Sequence, residues 1–205
     1  MVASKQDTLT VELVVTEADL WRFFGLLRQG ILVTTHLPSS LQQLLLVALK
    51  IPDAYVRERI QTVFLNGKAV DDIQGASVSD GDVVTLSAAM PGLVGATLRK
   101  GGQLTNLRSS LSHRSLSTET EAVAPGKVTV KLFNLVCAEL GPSFLGRGVL
   151  LPGGHFKAFL ADVWPELAPA CIGARIGEKP VEAAVLPESV APGAMVRLKV
   201  GTQTR

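Results

Sequence analysis

Two stretches of the chain alternate apolar and polar residues with a period of two. Residues 9–15 place leucine or valine at every second position, and residues 128–132 repeat this spacing. Because successive side chains of a strand point to opposite faces, each stretch predicts a strand with one buried face. Short apolar runs after Gly30 and after Gly148 predict a second strand in each case.

A helical pattern follows each pair of strands. In residues 41–48 the apolar positions recur at i, i+3, i+4 and i+7, and residues 156–163 have the same spacing. The first helix is preceded by a Ser-x-x-Gln capping box, which fits either Ser39–Gln42 or Ser40–Gln43. Pro165 is predicted to end the second helix, because proline lacks an amide hydrogen and clashes with the preceding turn.

Short strands separated by turns complete each half. Asn66-Gly67 predicts a tight hairpin turn, since both residues tolerate positive φ. The turn sequences Asp80-Gly81-Asp82 and Pro192-Gly193 each lead into a final strand, at 83–86 and at 195–200.

The two halves match in four short blocks that keep their order along the chain. Residues 9–13 match 128–132 at an offset of 119, 30–32 match 148–150 at 118, 67–71 match 178–182 at 111, and 81–86 match 193–198 at 112. The offset falls once, as one shortened connection in the second copy would produce. We interpret the pattern as an internal duplication.

The order strand, strand, helix and short strands is that of a β-grasp fold. The sequence therefore predicts an α+β protein with two tandem β-grasp domains, each a mixed sheet packed on one main helix. The predicted boundaries are 1–90 for the first domain and 127–205 for a second, diverged domain. Residues 91–126 between them are predicted to be a basic linker, because eight of the sixteen residues in 105–120 are serine or threonine.

Composition narrows the classes of partner. The 20 basic and 18 acidic residues nearly balance, so no basic excess indicates nucleic acid as a partner. Although 47% of the residues are hydrophobic, the apolar run at 44–49 is far shorter than the roughly 20 residues that span a bilayer. Residues 1–7 lack the apolar core of a secretory signal, and the two cysteines form no disulfide framework, so we expect a cytoplasmic protein without a membrane segment.

Residues 64–70 (FLNGKAV) and 79–84 (SDGDVV) resemble the ubiquitin-like sulfur carriers of thiamine and molybdopterin synthesis, the ThiS and MoaD families. The resemblance covers about residues 9–95 and implies a β-grasp fold. It also implies a C-terminal Gly-Gly that is adenylated and then thiocarboxylated. Here the chain continues past the last strand, and the nearby pair Gly101 and Gly102 is internal. Carrier activity would therefore require processing after Gly102, and we keep it as an alternative function.

Residues with catalytic chemistry are few and scattered. The three histidines have no nearby partners that would build a nucleophilic triad, and two aspartate pairs fit solvated turns. The glycines of residues 152–155 (PGGH) open a helix, where free amides can hold an anion, but they lack the spacing of a phosphate-binding loop. We therefore expect no catalytic site, no cofactor and no metal. An enzyme with a site between the two copies remains a further alternative.

Surplus apolar surface is the most informative feature. Residues 41–49 are apolar around almost the whole helix, more than one sheet can cover, and a further apolar connection precedes the second strand. Packing of the two copies, an external protein surface and a small apolar ligand pocket are all open explanations. We predict an interaction surface made by Trp21, Phe23, Phe24, Leu46, Val47 and Leu49. The expected function is a non-catalytic protein-interaction module, with a protein partner or a homodimer if these side chains are uncovered.

Overall fold

The computed structural model of the chain describes residues 8–88 and 122–203. The chain divides into two compact units: a terminal unit, Met1–Ile31 with Leu140–Arg205, and a central unit, Leu32–Glu139. This division differs from the predicted boundaries at 1–90 and 127–205, because each unit contains segments from both halves of the sequence. Most of the predicted linker lies outside the described residues, although its last residues already belong to a strand.

The described residues form twelve strands and five α-helices. The strands are β1 (Thr8–Thr16), β2 (Ile31–Leu37), β3 (Ser39–Ser40), β4 (Thr62–Leu65), β5 (Lys68–Ala69), β6 (Ser77–Val78), β7 (Val83–Ser87), β8 (Ala124–Phe133), β9 (Val149–Pro152), β10 (Cys171–Ile176), β11 (Lys179–Val181) and β12 (Met195–Gln203). The α-helices are α1 (Phe24–Gln29), α2 (Leu41–Gln43), α3 (Asp53–Glu58), α4 (Asn134–Arg147) and α5 (Gly153–Leu167). The predicted mixture of helices and a mixed sheet is confirmed at this level.

In the terminal unit five strands are neighbours in the order β11-β10-β1-β12-β9. Strand β1 is parallel to β12 along its whole length and antiparallel to β10. The alternation predicted for the first strand is confirmed, because Val11, Leu13 and Val15 are buried while the residues between them are partly exposed.

Helix α5 provides the aromatic core of the terminal unit. Phe156, Phe159 and Leu160 are buried as the helical spacing predicted. The predicted end at Pro165 is wrong, because the helix continues to Leu167. Pro165 lacks the amide hydrogen for one helical bond, but burial of Trp164 and Leu167 on either side of it favours the helical path.

In the central unit the strands are neighbours in the order β2-β8-β7-β4-β5. Strand β8 is parallel to β7, and β4 is antiparallel to both β7 and β5. The predicted hairpin between β4 and β5 is confirmed, with positive φ at both Asn66 and Gly67. The short strands β3 and β6 form a separate antiparallel pair, in which Ser39 lies opposite Val78.

The main helix of the central unit begins with a capping box formed by Ser40 and Gln43, the second of the two predicted alternatives. The amide of Gln43 donates to Ser40 Oγ at 3.1 Å, and the amide of Ser40 donates to Gln43 Oε1 at 3.2 Å. The helix then widens into a π-helical turn over Leu44–Ala48. Helix α3 follows after Pro52 and was not predicted.

Both connections between a first and a second strand are helical, which the sequence did not predict. A 3-10 turn over Glu17–Phe23 continues into α1, and α4 occupies the corresponding place in the second half. The first has apolar residues on all sides, and in the second Gly141 and Pro142 disfavour a helix, so the local helical signal of both connections is weak.

The first strand of each half of the sequence pairs with the last strand of the other half. Strand β7 pairs with β8, with Val83 beside Thr129, and β12 pairs with β1, with Met195 beside Thr8. The repeat offset of 119 makes Thr10 the counterpart of Thr129, yet Thr8 lies beside Met195. The two parallel pairs therefore differ in register by two residues. Because side chains alternate with a period of two, the same faces stay buried. The two units also differ in strand order. In the central unit the first strand β8 lies beside the second strand β2, whereas in the terminal unit the last strand β12, and not the first strand β1, lies beside the second strand β9.

Candidate functional site

Trp21 is the most exposed aromatic residue of the predicted surface, at 58% of its full accessibility. The guanidinium of Arg22 lies 5.2 Å from the centroid of its ring, within the range of a cation–π contact. Arg22 is held in turn by Asp19 at 2.9 Å and by Glu166 at 2.8 Å. These two hydrogen bonds raise the pKa of Arg22. Trp21 therefore stands on the terminal unit beside a fixed positive charge.

The two phenylalanines that follow Trp21 differ in exposure. Phe23 is fully buried, and its ring lies 5.7 Å from that of Phe159. Phe24 is half-buried and packs against Gly141, where an added Cβ would lie 2.9 Å from Phe24 Cε1. Phe23 thus belongs to the core of the terminal unit, which corrects its place in the predicted surface.

The predicted residues of the central unit also divide by exposure. Val47 is 71% exposed, Leu46 is half-buried and Leu49 is buried. The helical turn that carries them buries Leu44, Leu45 and Leu49 and turns Val47 to solvent. Of the six predicted surface residues, Trp21 and Val47 therefore offer the exposed apolar area, one on each unit.

The motif residues that carry the family resemblance form a hydrogen-bonded turn. Asn66 Nδ2 donates to Asp82 Oδ1 at 2.7 Å, and the amide of Val83 donates to Asn66 Oδ1 at 2.9 Å. The other carboxylate oxygen of Asp82 accepts from the amide of Ser79 at 2.8 Å. These contacts fix the start of β7, so turn geometry accounts for the motif.

The remaining acidic turn residues are engaged in the same way. Asp80 Oδ1 accepts from the amide of Lys127 at 2.6 Å, which holds the start of β8. Asp72 Oδ1 accepts from the amides of Gln74 and Gly75 at 2.9 and 3.1 Å. Three of the four aspartates in the two carboxylate pairs considered from the sequence, Asp72, Asp80 and Asp82, thus accept hydrogen bonds from backbone amides.

The glycine-rich helix start is closed by the loop that packs on it. The amide of Gly153 donates to the carbonyl of Ala194 at 2.7 Å, and an added Cβ would lie 2.4 Å from the carbonyl oxygen of Ala191. The first amide of the helix is therefore occupied by protein, which argues against the anion site considered from the sequence. Both His36 and His155 are exposed, and His113 lies outside the described residues together with Gly101 and Gly102.

The two cysteines and the possible metal ligands were considered in the part of the chain that the structure describes. Cys137 is buried, and burial raises the pKa of the half-buried Cys171 thiol, which lowers its thiolate fraction. Within residues 8–88 and 122–203, no three histidine, cysteine or acidic side chains are arranged to hold a metal ion.

A polar cluster that the sequence did not reveal joins α3 to α4 within the central unit. Tyr55 donates its hydroxyl hydrogen to Glu139 Oε2 at 2.6 Å, and Arg59 Nε donates to the same oxygen at 3.2 Å. A second Arg59 nitrogen donates to Glu139 Oε1. The hydrogen bonds from Arg59, and to a smaller extent from Tyr55, lower the pKa of Glu139. Burial, and to a smaller extent the hydrogen bond to Glu139, raises the pKa of Tyr55. Glu139 lies 84 positions from Tyr55 and 80 from Arg59 in the sequence, so no local pattern identifies the cluster.

The lowered pKa of Glu139 predicts a change in acid stability. A carboxylate with a lowered folded-state pKa stabilises the fold above its unfolded-state pKa of about 4.3, and this contribution is lost as the pH falls. We expect Glu139→Gln to flatten the drop in melting temperature between about pH 5 and pH 3. Thermal melts of wild type and variant across this range measure the difference. Glu58→Gln, an exposed carboxylate on α3, is the control, and an equal acid dependence for wild type and Glu139→Gln would contradict the assignment.

Within the described residues, no helix is both long enough and apolar enough to cross a membrane. No protein-family model, no curated protein and no solved structure matches the chain.

Proposed function

We propose that this chain is a non-catalytic protein-interaction module built from duplicated ubiquitin-like domains of the β-grasp type. The order of elements supports the duplication, because both halves run strand, helical connection, strand, helix, hairpin and final strand. A parallel pair of strands also lies at the middle of each unit, β7 with β8 and β1 with β12. In each unit one strand of the pair is a first strand and the other a last strand.

The observation that carries the interaction function is the exposure of Trp21 and Val47. Large apolar side chains that remain in water favour association, because each contact removes apolar area from solvent. Trp21 has the stronger chemistry for a partner, since tryptophan and arginine are both enriched among residues that dominate binding energy, and Arg22 contacts the Trp21 ring. By contrast, Asn66 and Asp82 are engaged in a turn, and Glu139 is engaged by Tyr55 and Arg59.

The proposal predicts that Trp21 and Val47 are needed to hold a partner, either another protein or a second copy of the chain. Immobilised wild type should retain a partner from native-host lysate, or the free chain should sediment as a homodimer. Because a central tryptophan contributes about 2 kcal/mol or more to an interface, Trp21→Ser should weaken either association by at least about tenfold. Val47→Ser should weaken it less, since it removes a smaller side chain.

The matched control replaces an exposed valine elsewhere. Val185 is 47% exposed, so Val185→Ser changes apolar surface by a similar amount without touching the proposed residues. The proposal is overturned if wild type is a strict monomer that retains no protein. Equal retention by wild type, Trp21→Ser and Val47→Ser would also reject it.

A further inference from the structure

We infer that the two halves of this sequence, residues 8–88 and 122–203, are a complementing pair that stays associated when the segment between them is cut. The observation is the exchange of first strands, which gives each unit a strand from the other half. This association of the two halves does not depend on the proposed function.

The terminal unit depends on β1, which the first half supplies. This strand lies between β10 and β12 and is hydrogen-bonded to both, so it occupies an interior position among strands of the second half. Its inward residues Val11, Leu13 and Val15 are at most 1% exposed. On the other face Lys199 Nζ lies 2.9 Å from Glu12 Oε1, an ion pair between the halves. Removal of β1 would open two ladders and uncover the core.

The central unit depends on β8, which the second half supplies. This strand lies between β2 and β7, and Val128, Val130 and Leu132 are fully buried. The turn before β7 adds further bonds, because the amide of Gly81 donates to the carbonyl of Lys127 at 2.8 Å. At the other end of the strand, Asn134 Nδ2 donates to Ser87 Oγ at 2.9 Å.

Separation of the halves therefore requires both β1 and β8 to leave their sheets. While one strand remains in place, the other is held at high effective concentration, so release of a single strand is reversed quickly. One consequence concerns the alternative carrier function. Cleavage after Gly102 would create a new chain end after β7, but it would not free the first half from the second.

The first test cuts the full chain after it has folded. A site-specific protease sequence replaces part of residues 103–110, and the cleaved protein is examined by native mass spectrometry and size-exclusion chromatography. We expect one species with the mass of the whole chain, 21.7 kDa before modification, to persist on dilution to about 1 μM. Two separate fragments would overturn the inference.

The second test identifies which strand lies beside β7. Thr85 and Lys131 are register partners in the parallel pair of β7 and β8, so the double variant Thr85→Cys with Lys131→Cys should form a disulfide on mild oxidation of the uncut chain. The matched control is Thr85→Cys with Glu12→Cys, because Glu12 is the counterpart of Lys131 at the offset of 119. Peptide mapping that finds the disulfide in the control and not in the first variant would show unexchanged strands and reject the inference.

Discussion

Replacement of Leu132 by alanine is expected to lower the free energy of unfolding by about 2–5 kcal/mol, the range for a buried leucine in a packed core. Leu132 is fully buried and lies beside Leu86 in the parallel pair of β8 and β7. The register continues from Leu86 to Val63 on β4. A cavity at this position therefore removes packing from the central unit, although Leu132 belongs to the second half of the sequence.

Amide hydrogen exchange shows where the stability is lost. In Leu132→Ala we expect the largest fall in protection in β4 and β7, with β10 and β12 less affected. Leu13→Ala is the matched variant, because Leu13 is 1% exposed and pairs with Ala174 and Val200 in the terminal unit. It should weaken β10 and β12 instead. The opposite distribution of protection would place each first strand with its own half.

The sequence predicts those elements whose stabilising interactions lie within a few residues of each other. The capping box at Ser40 and the strand after Asp82 depend on side chains that bond amides three residues away. The hairpin at Asn66-Gly67 depends on two residues that adopt positive φ. Alternation located β1 and β8 because each buries one face. Such contacts span few residues, so a short window of sequence contains all the atoms that decide them.

The pairing of strands could not be predicted in the same way. Strand β8 has the same alternation whether it lies beside β7 or beside β12, since both last strands present apolar residues at every second position. The choice between them depends on contacts between segments that are far apart in the chain. Helix α4 was missed for a related reason, because Gly141 and Pro142 weaken its local helical signal and packing against Phe24 supports it.

The predicted surface shows the same limit. Phe23 and Val47 are both apolar residues on short helical turns, and the sequence gives them equal weight. Phe23 is buried against Phe159, whereas Val47 is exposed. The cluster of Tyr55, Arg59 and Glu139 had no signal at all, because it forms only after α3 and α4 pack.

Gly153→Ala is expected to destabilise the terminal unit by about 1–3 kcal/mol, the usual effect of forcing atoms into a packed site. The added Cβ would lie 2.4 Å from the carbonyl oxygen of Ala191 and 2.8 Å from that of Ala194. Both acceptors are backbone atoms of the loop before β12, so no side-chain rotation relieves the contact. Movement of this loop would also break the 2.7 Å bond from the amide of Gly153 to Ala194.

Gly154→Ala separates this contact from the general effect of alanine in a helix. At Gly154 the nearest atom to an added Cβ is the carbonyl oxygen of Pro192 at 3.6 Å, an ordinary contact distance. Alanine there should stabilise the chain by about 0.4–1 kcal/mol, because it restricts the unfolded chain and favours the helix. Chemical denaturation of both variants measures the two signs. If Gly153→Ala were as stable as Gly154→Ala, the loop of residues 191–194 would not lie against the start of α5, and the occupied helix terminus would be open to an anion after all.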